Sequence, residues 1–179
     1  MISLQVIFWI FVIIFAVIGA IRGWAREVLV TFSCVLGIFI LFLLENYAEF
    51  AKQGALFTNP TSHFWLQAVV FGSLVFFGYQ SPNLPALAGH VRFNNLTFID
   101  NLAGLFLGAL NGYFIFGSLW FFMDVAGYPF SIITAPAGGT EIGDAAINML
   151  AYLPPHWLVS PAIYFSAVLA LALVLVVFL

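Results

Sequence analysis

The sequence predicts an all-α, polytopic membrane protein with about five transmembrane helices and a short amphipathic helix in its last loop. Hydrophobic residues make up 64% of the 179 residues and charged residues only 6%. Soluble domains carry about 25% charged residues, so this chain has too little charge to solvate a compact fold, and its outer surface must face lipid. Its long apolar runs lack the alternating pattern of a membrane barrel. They favour helices, because a helix satisfies its own backbone in lipid.

Five apolar segments are long enough, or nearly long enough, to cross a bilayer, which takes about 20 helical residues. They are spans 1 to 5, at residues 2–21, 28–44, 64–79, 98–122 and 161–179. Spans 2 and 3 are short and need an extra turn from their flanks. Asn59, Thr61 and Ser62 are suited to begin span 3, whereas Pro82 and Pro85 end it. Span 1 is expected to be retained, because it lacks the basic region and cleavage pattern of a secretory signal.

The basic residues favour one orientation in the membrane. Arg22 and Arg26 lie between spans 1 and 2, and Arg92 lies between spans 3 and 4, whereas Lys52 lies between spans 2 and 3. Short cytoplasmic loops are enriched in Lys and Arg. We therefore expect the amino terminus outside and the carboxy terminus inside, with three of the four basic residues on the inner side.

The long connection between spans 4 and 5 contains the segment "EIGDAAINMLAYLPP". Its apolar residues recur at helical spacing: Ile142, Ala145, Ala146, Met149, Leu150 and Leu153. Its polar residues fall on the opposite face: Glu141, Asp144 and Asn148. This pattern predicts a short amphipathic helix. Because helices that lie on a membrane surface usually have a basic polar face, we expect this acidic one to cover the protein's own helices on the outer side, with partner docking as the alternative.

Small residues predict which spans touch. Span 4 has glycines at successive i+4 positions: Gly104, Gly108 and Gly112. Span 1 has a comparable ridge that includes Gly19 and Gly23. In lipid, helices associate through close backbone approach at small residues. We therefore expect span 1 to pack on span 4 within one chain, and packing against a partner chain is the alternative.

Asp100 opens span 4 on the same side of the membrane as Arg22, Arg26 and Glu27. A carboxylate near hydrocarbon usually finds a partner. We expect Asp100 to pair with Arg26 or Arg22 and to form a structural clamp between the two ridges, while the arginines fix the topology. The alternative is that the four charges extend separately into the headgroup region.

Asn111 lies near the middle of span 4, where its amide needs a hydrogen-bond partner. Helix packing is the expected role, with a ligand or quinone contact as the alternative. His63, His90 and His156 lie far apart without acids or cysteines at ligand spacing, so no metal site is predicted. The single cysteine, Cys34, is expected to be a small packing residue.

Several function classes are excluded or disfavoured. The net charge is −3 with only four basic residues, which excludes the basic patch of a nucleic-acid-binding protein. The sequence contains no nucleophile elbow, phosphate loop or zinc motif. We therefore predict no enzyme activity, no catalytic residue and no cofactor. A quinone or pigment contact would require a histidine or asparagine that faces a cavity.

Two segments resemble the colicin V production protein family. "GAIRGWAREVLVTFSCVLGI" is similar to the family's amino-terminal signature, and "LTFIDNLAGLFLGALNGYF" is similar to its second signature. The matching positions are Arg22, Gly23, Arg26, Glu27, Asp100, Gly104, Gly108 and Gly112. The resemblance covers about residues 1–127 and implies a four-span protein of the bacterial cytoplasmic membrane, without known catalysis, linked to toxin export and envelope homeostasis. The family usually has arginines where this chain has Asn101 and Asn111.

These observations divide the chain into three parts: a four-span domain (1–127), a Gly- and Pro-rich loop with the amphipathic helix (128–160), and the fifth span (161–179). We expect a non-catalytic protein that works through helix packing, as an accessory or scaffold subunit of a larger bacterial membrane complex. An energy-transducing complex, photosynthetic or respiratory, is one candidate setting. The alternative is a small oligomeric export or channel-like component. The expected partners are the lipid bilayer and other membrane proteins or further copies of the chain.

Overall fold

The computed structural model describes residues 4–47, 58–80 and 97–178. Within these ranges the secondary structure is helical, without strands. The helices are α1 (Leu4–Arg22), α2 (Trp24–Tyr47), α3 (Pro60–Tyr79), α4 (Thr97–Val125), α5 (Glu141–Leu150), α6 (Pro154–Trp157) and α7 (Ala162–Phe178). The predicted all-α fold class is confirmed.

Four helices, α1 to α4, are long and apolar enough to cross a membrane. The fifth predicted span, α7, is apolar but has only 17 residues, at the short end of the range of about 17–25 that a bilayer requires. α2 begins at Trp24 and α3 at Pro60, so both gain the extra turn that spans 2 and 3 lacked. The Asn59 side chain begins α3, since its Oδ1 accepts hydrogen bonds from the backbone N–H groups of Thr61 (3.0 Å) and Ser62 (3.3 Å).

α1 lies antiparallel along α4. Gly19, near the end of α1, contacts Gly108, whereas Phe8, near its start, packs against Trp120 further along α4. α1 buries little else, because its other face is exposed and apolar, as expected of a helix at the lipid boundary. The structure thus has the expected pairing of span 1 (α1) with span 4 (α4).

α2 and α3 are also antiparallel and enclose the main core with α4 and α7. Gly37 of α2 packs on the Phe71 ring of α3, and the Phe71 ring meets Phe122 of α4 edge-on. α7 joins this core through Ile163 and Ala170. The buried residues are mostly Val, Ile, Leu and Phe, and they fill the space between the four helices.

The bundle has two distinct ends. At one end α1 turns into α2 and meets the last residue of α3 and the first turn of α4; we call it the elbow end. At the opposite end of the bundle, α5 and the residues that follow it cover the first half of α1 and the last turns of α4. Five residues used in the sequence predictions lie outside the described residues: Lys52, Pro82, Pro85, His90 and Arg92.

The amphipathic helix is α5, and Thr140 begins it by accepting the Gly143 N–H at 3.1 Å. α5 packs on α1 and α4 through Ala146, with Met149 and Leu150 beside it. Ile142, predicted on the apolar face, is instead 66% exposed. Ile142 lies in the first turn of α5, one turn before Ala146, the residue through which this helix contacts α1 and α4.

Candidate functional site

Glycines bring α1 and α4 into backbone contact. A Cβ atom added to Gly108 would meet the Phe15 carbonyl oxygen and would lie 2.9 Å from the Gly19 Cα atom. One added to Gly112 would lie 2.9 Å from the Phe15 Cβ atom and 3.0 Å from the Val12 Cα atom. Larger side chains at these positions would force the helices apart. Gly104 makes the same kind of contact, with the Gly19 carbonyl oxygen.

The elbow between α1 and α2 is built on Gly23. Its φ of +84° lies in the left-handed region that favours glycine, and its N–H donates to the Gly19 carbonyl oxygen at 2.9 Å. The turn directs the backbone N–H of Trp24 at Asp100, whose Oδ1 accepts it at 3.4 Å. Asp100 therefore accepts a hydrogen bond from the first backbone N–H group of α2.

The predicted ion pair between Asp100 and Arg26 or Arg22 is not formed. Within the described ranges the ion pairs are Arg22–Glu27 and His63–Glu45. Arg22 is engaged by Glu27, and the Asp100 carboxylate faces the elbow backbone instead. Asp100 thus links α4 to the first residue of α2 by a carboxylate-to-backbone hydrogen bond rather than by a salt bridge.

Arg22 joins three helices at the elbow end. Its Nη1 lies 3.1 Å from Oε1 of Glu27 on α2. Its Nη2 donates to the Tyr79 carbonyl oxygen, at the end of α3, at 3.2 Å. The guanidinium also lies over the Tyr79 ring, with Cζ 4.5 Å from the ring centroid, an arrangement that favours a cation.

Glu27 is completely buried and is held by two uncharged side chains. Asn111 of α4 donates from Nδ2 to Glu27 Oε2 at 2.8 Å and to the Glu27 carbonyl oxygen at 3.0 Å. Thr31 donates to Asn111 Oδ1 at 2.7 Å. Since Oδ1 can only accept, the Thr31 hydroxyl fixes which way the Asn111 amide points. We call Arg22, Glu27, Thr31, Tyr79 and Asn111 the buried polar centre.

This centre lies well inside the apolar part of the bundle. Asn111 lies eleven positions after Asp100 in α4, which is roughly 16 Å along an α-helix. Glu27 and Asn111 both have 0% exposure. Buried charges are costly unless they are paired and hydrogen-bonded, and here the carboxylate has both kinds of partner.

Sequence reasoning placed Glu27 among the charges at a helix boundary and missed its burial. The spacing of Glu27, Thr31 and Cys34 could have indicated it, because positions i, i+4 and i+7 share one helix face. That face of α2 meets α4 at Asn111. The amide of Asn111 makes hydrogen bonds between helices, the role expected of it.

A smaller polar cluster lies at the other end of α2 and α3. Gln67 donates to Glu45 Oε1 at 2.7 Å, and His63 Nε2 lies 3.5 Å from the same oxygen. His156 is near the Phe121 ring instead. Across the described part of the chain, no three His, Cys, Asp or Glu residues come together as a metal site would require.

Comparisons with known proteins identify the family. The sequence profile of the colicin V production protein matches residues 4–136, about three quarters of the chain, and extends past the predicted boundary at residue 127. Searches of curated proteins and of solved structures find no match. With four helices of spanning length, the match describes a multi-pass membrane protein related to colicin V production. The chain belongs to the colicin V production protein family.

Proposed function

We propose that this chain is a non-catalytic subunit of a larger membrane complex, and that it serves a process related to colicin V production by packing against other membrane proteins. The supporting observation is the enclosure of the buried polar centre. Glu27 and Asn111 have no exposed surface and direct their polar atoms at neighbouring helices. These groups therefore hold α1, α2, α3 and α4 together as one unit.

The apolar core of the bundle bears on the alternative function, a small oligomeric export or channel-like component. The space between α2, α3, α4 and α7 is filled by apolar side chains. A polar path would then lie between copies rather than inside one copy. The family's association with colicin V production favours this second candidate, and the oligomeric state separates it from the first.

The experiment is purification of the full chain from bacterial membranes in a gentle detergent, followed by mass spectrometry and an absorption spectrum. Co-purification of different membrane proteins at fixed stoichiometry supports the subunit proposal, and cofactor absorption bands would indicate an energy-transducing complex. A homo-oligomer alone supports the channel-like component. A monomer without partners, recovered equally after cross-linking in the membrane, would refute both.

The proposed location is the bacterial cytoplasmic membrane, with the elbow end inside. This orientation follows from Arg22 and Arg26 at the elbow end and the rule that basic residues stay in the cytoplasm. It puts the amino terminus and α5 outside and the carboxy terminus inside. Labelling of cysteines introduced into a Cys34→Ser background by a membrane-impermeant reagent tests it: a cysteine replacing Asp144 of α5 should react in intact cells, and one replacing Arg26 should not.

A further inference from the structure

The two carboxylate oxygens of Glu27 have different partners. Oε2 accepts a directed hydrogen bond from Asn111 at 2.8 Å. Oε1 lies 3.1 Å from Arg22 Nη1, yet neither of these two atoms has a partner with hydrogen-bond geometry. Oε1 is therefore held by opposite charge alone, and it can change its partner without disturbing the bond from Asn111.

The two members of the ion pair also differ in their access to water. The Glu27 side chain has 0% exposure, whereas the Arg22 side chain keeps 19%. Arg22 is the last residue of α1 and is followed by the Gly23 elbow. Long basic side chains near helix ends extend readily to the membrane interface. Arg22 can thus leave the interior, and Glu27 cannot.

Charge balance couples the two residues. An arginine does not lose its proton in a protein, and an unpaired charge in an apolar interior is strongly disfavoured. If Arg22 moves to the interface, Glu27 must bind a proton. If Glu27 binds a proton, nothing in the interior balances Arg22, which then moves out.

The other groups around Glu27 leave this coupling intact. The charged or titratable side chains that interact with its carboxyl group are Arg22 from α1, Tyr79 from α3 and Cys34 from α2 itself. α4 contributes the uncharged Asn111 there. Arg22 is thus the cation that neutralises Glu27 among the described residues.

We propose that Glu27 is a proton-binding site, at which a proton and the Arg22 guanidinium exchange at Oε1. A hydronium ion at the elbow end supplies the proton: one of its O–H bonds breaks, neutral water remains, and an O–H bond forms at Oε1. The guanidinium leaves with its own proton, so one positive charge enters as another departs. The bond from Asn111 to Oε2 remains in both states.

The exchange has a structural consequence, because Arg22 also holds α3. When the guanidinium leaves, the hydrogen bond to the Tyr79 carbonyl oxygen and the contact with the Tyr79 ring are lost. α3 is then connected to α2 by packing but no longer to the end of α1 by Arg22. Proton binding therefore loosens the elbow end of the bundle.

The test is infrared spectroscopy of the full chain in lipid vesicles, titrated from mildly alkaline to mildly acidic pH, with isotope-labelled arginine to identify the guanidinium bands. We expect the C=O stretching band of a protonated carboxyl group to appear on acidification, and a guanidinium band to shift over the same pH interval. Glu27→Gln should abolish both changes. Asp100→Asn, the matched acid control, and Arg26→Lys, the matched arginine control, should retain both.

A further variant keeps the test decisive if Glu27→Gln does not fold. Arg22→Gln should show the protonated carboxyl band already at neutral pH, because the counter-ion is gone. A carboxyl band that survives Glu27→Gln, or one that appears without the guanidinium shift, overturns the proposal. The same conclusion follows if no carboxyl band appears at any pH at which circular dichroism shows the helices intact.

Discussion

Gly19 of α1 and Gly108 of α4 bring two helix backbones into direct contact: a Cβ atom added to Gly19 would lie 2.7 Å from the Gly108 Cα atom. Such proximity is available only to residues without a side chain. It also allows the van der Waals contact by which helices associate in lipid, where apolar burial between helices gives little driving force. The interface between α1 and α4 is therefore sensitive to a single methyl group.

Gly19→Ala should destabilise the protein by about 1–3 kcal/mol, the usual cost of overpacking a close contact. The methyl group meets backbone atoms of Gly104 and Gly108, which cannot move aside as a flexible side chain would. The measurement is the free energy of unfolding in mixed detergent micelles. Gly72→Ala is the matched control, because its added Cβ atom meets nothing within 4 Å. Equal losses for the two variants would contradict the packing account.

Asn111→Ala should cost about 1–3 kcal/mol, because it leaves Glu27 and Thr31 without their shared partner in a buried site. The control is Ser118→Ala on the same helix. Ser118 is also fully buried, but its hydroxyl oxygen has no hydrogen-bond partner, so its loss should change the stability by less than about 1 kcal/mol. A larger effect for Ser118 than for Asn111 would show that burial alone, rather than hydrogen bonding, determines the cost.

Two double-mutant cycles distinguish the observed ion pair from the one that the sequence suggested. Arg22→Gln and Glu27→Gln should be strongly non-additive, since removing one member of a buried pair costs up to about 3–5 kcal/mol. Arg26→Gln and Asp100→Asn should add within about 0.5 kcal/mol. Unfolding free energies of the four single and two double variants supply both coupling energies. Strong coupling in the Arg26–Asp100 cycle would argue against the structure of the elbow end.

Gly23→Ala should destabilise the protein more than Gly127→Ala. Both glycines have positive φ values, +84° and +68°, so each alanine carries a backbone strain of about 1–2 kcal/mol. At Gly23 the added Cβ atom also lies 3.1 Å from Asp100 Oδ2, whereas at Gly127 it meets nothing within 4 Å. The excess loss at Gly23 should disappear in an Asp100→Ala background, and its persistence there would exclude Asp100 as the cause.

The sequence predicted the helices and the pairing of α1 with α4 because both depend on local patterns. Apolar runs set the spans, and glycines four residues apart show which faces can approach closely. The partner of Asp100 could not be predicted in the same way. It depends on the angle at which α2 leaves Gly23, and that angle turns the Trp24 N–H toward Asp100 and the Arg22 side chain toward Glu27.

The buried polar centre was unpredictable for a related reason. Glu27 lies one turn from the start of α2, where a carboxylate normally reaches water or the favourable end of the helix dipole. Its burial results from Tyr79 and Asn111, which come from segments more than fifty residues away. Hydropathy indicates how deep in the membrane a residue lies, but it does not indicate which side chains surround that residue in the fold.

The length of α4 determines how the protein sits in its membrane. Its 29 residues extend roughly 43 Å along an α-helix, against roughly 30 Å for a hydrocarbon core, whereas the 20 residues of α3 match that thickness. Such a hydrophobic mismatch is relieved by tilting the longer helix or by thickening the lipid around it. Because glycines hold α1 and α4 at backbone distance, the two helices must tilt together. A change in bilayer thickness therefore changes the tilt of both helices by the same amount.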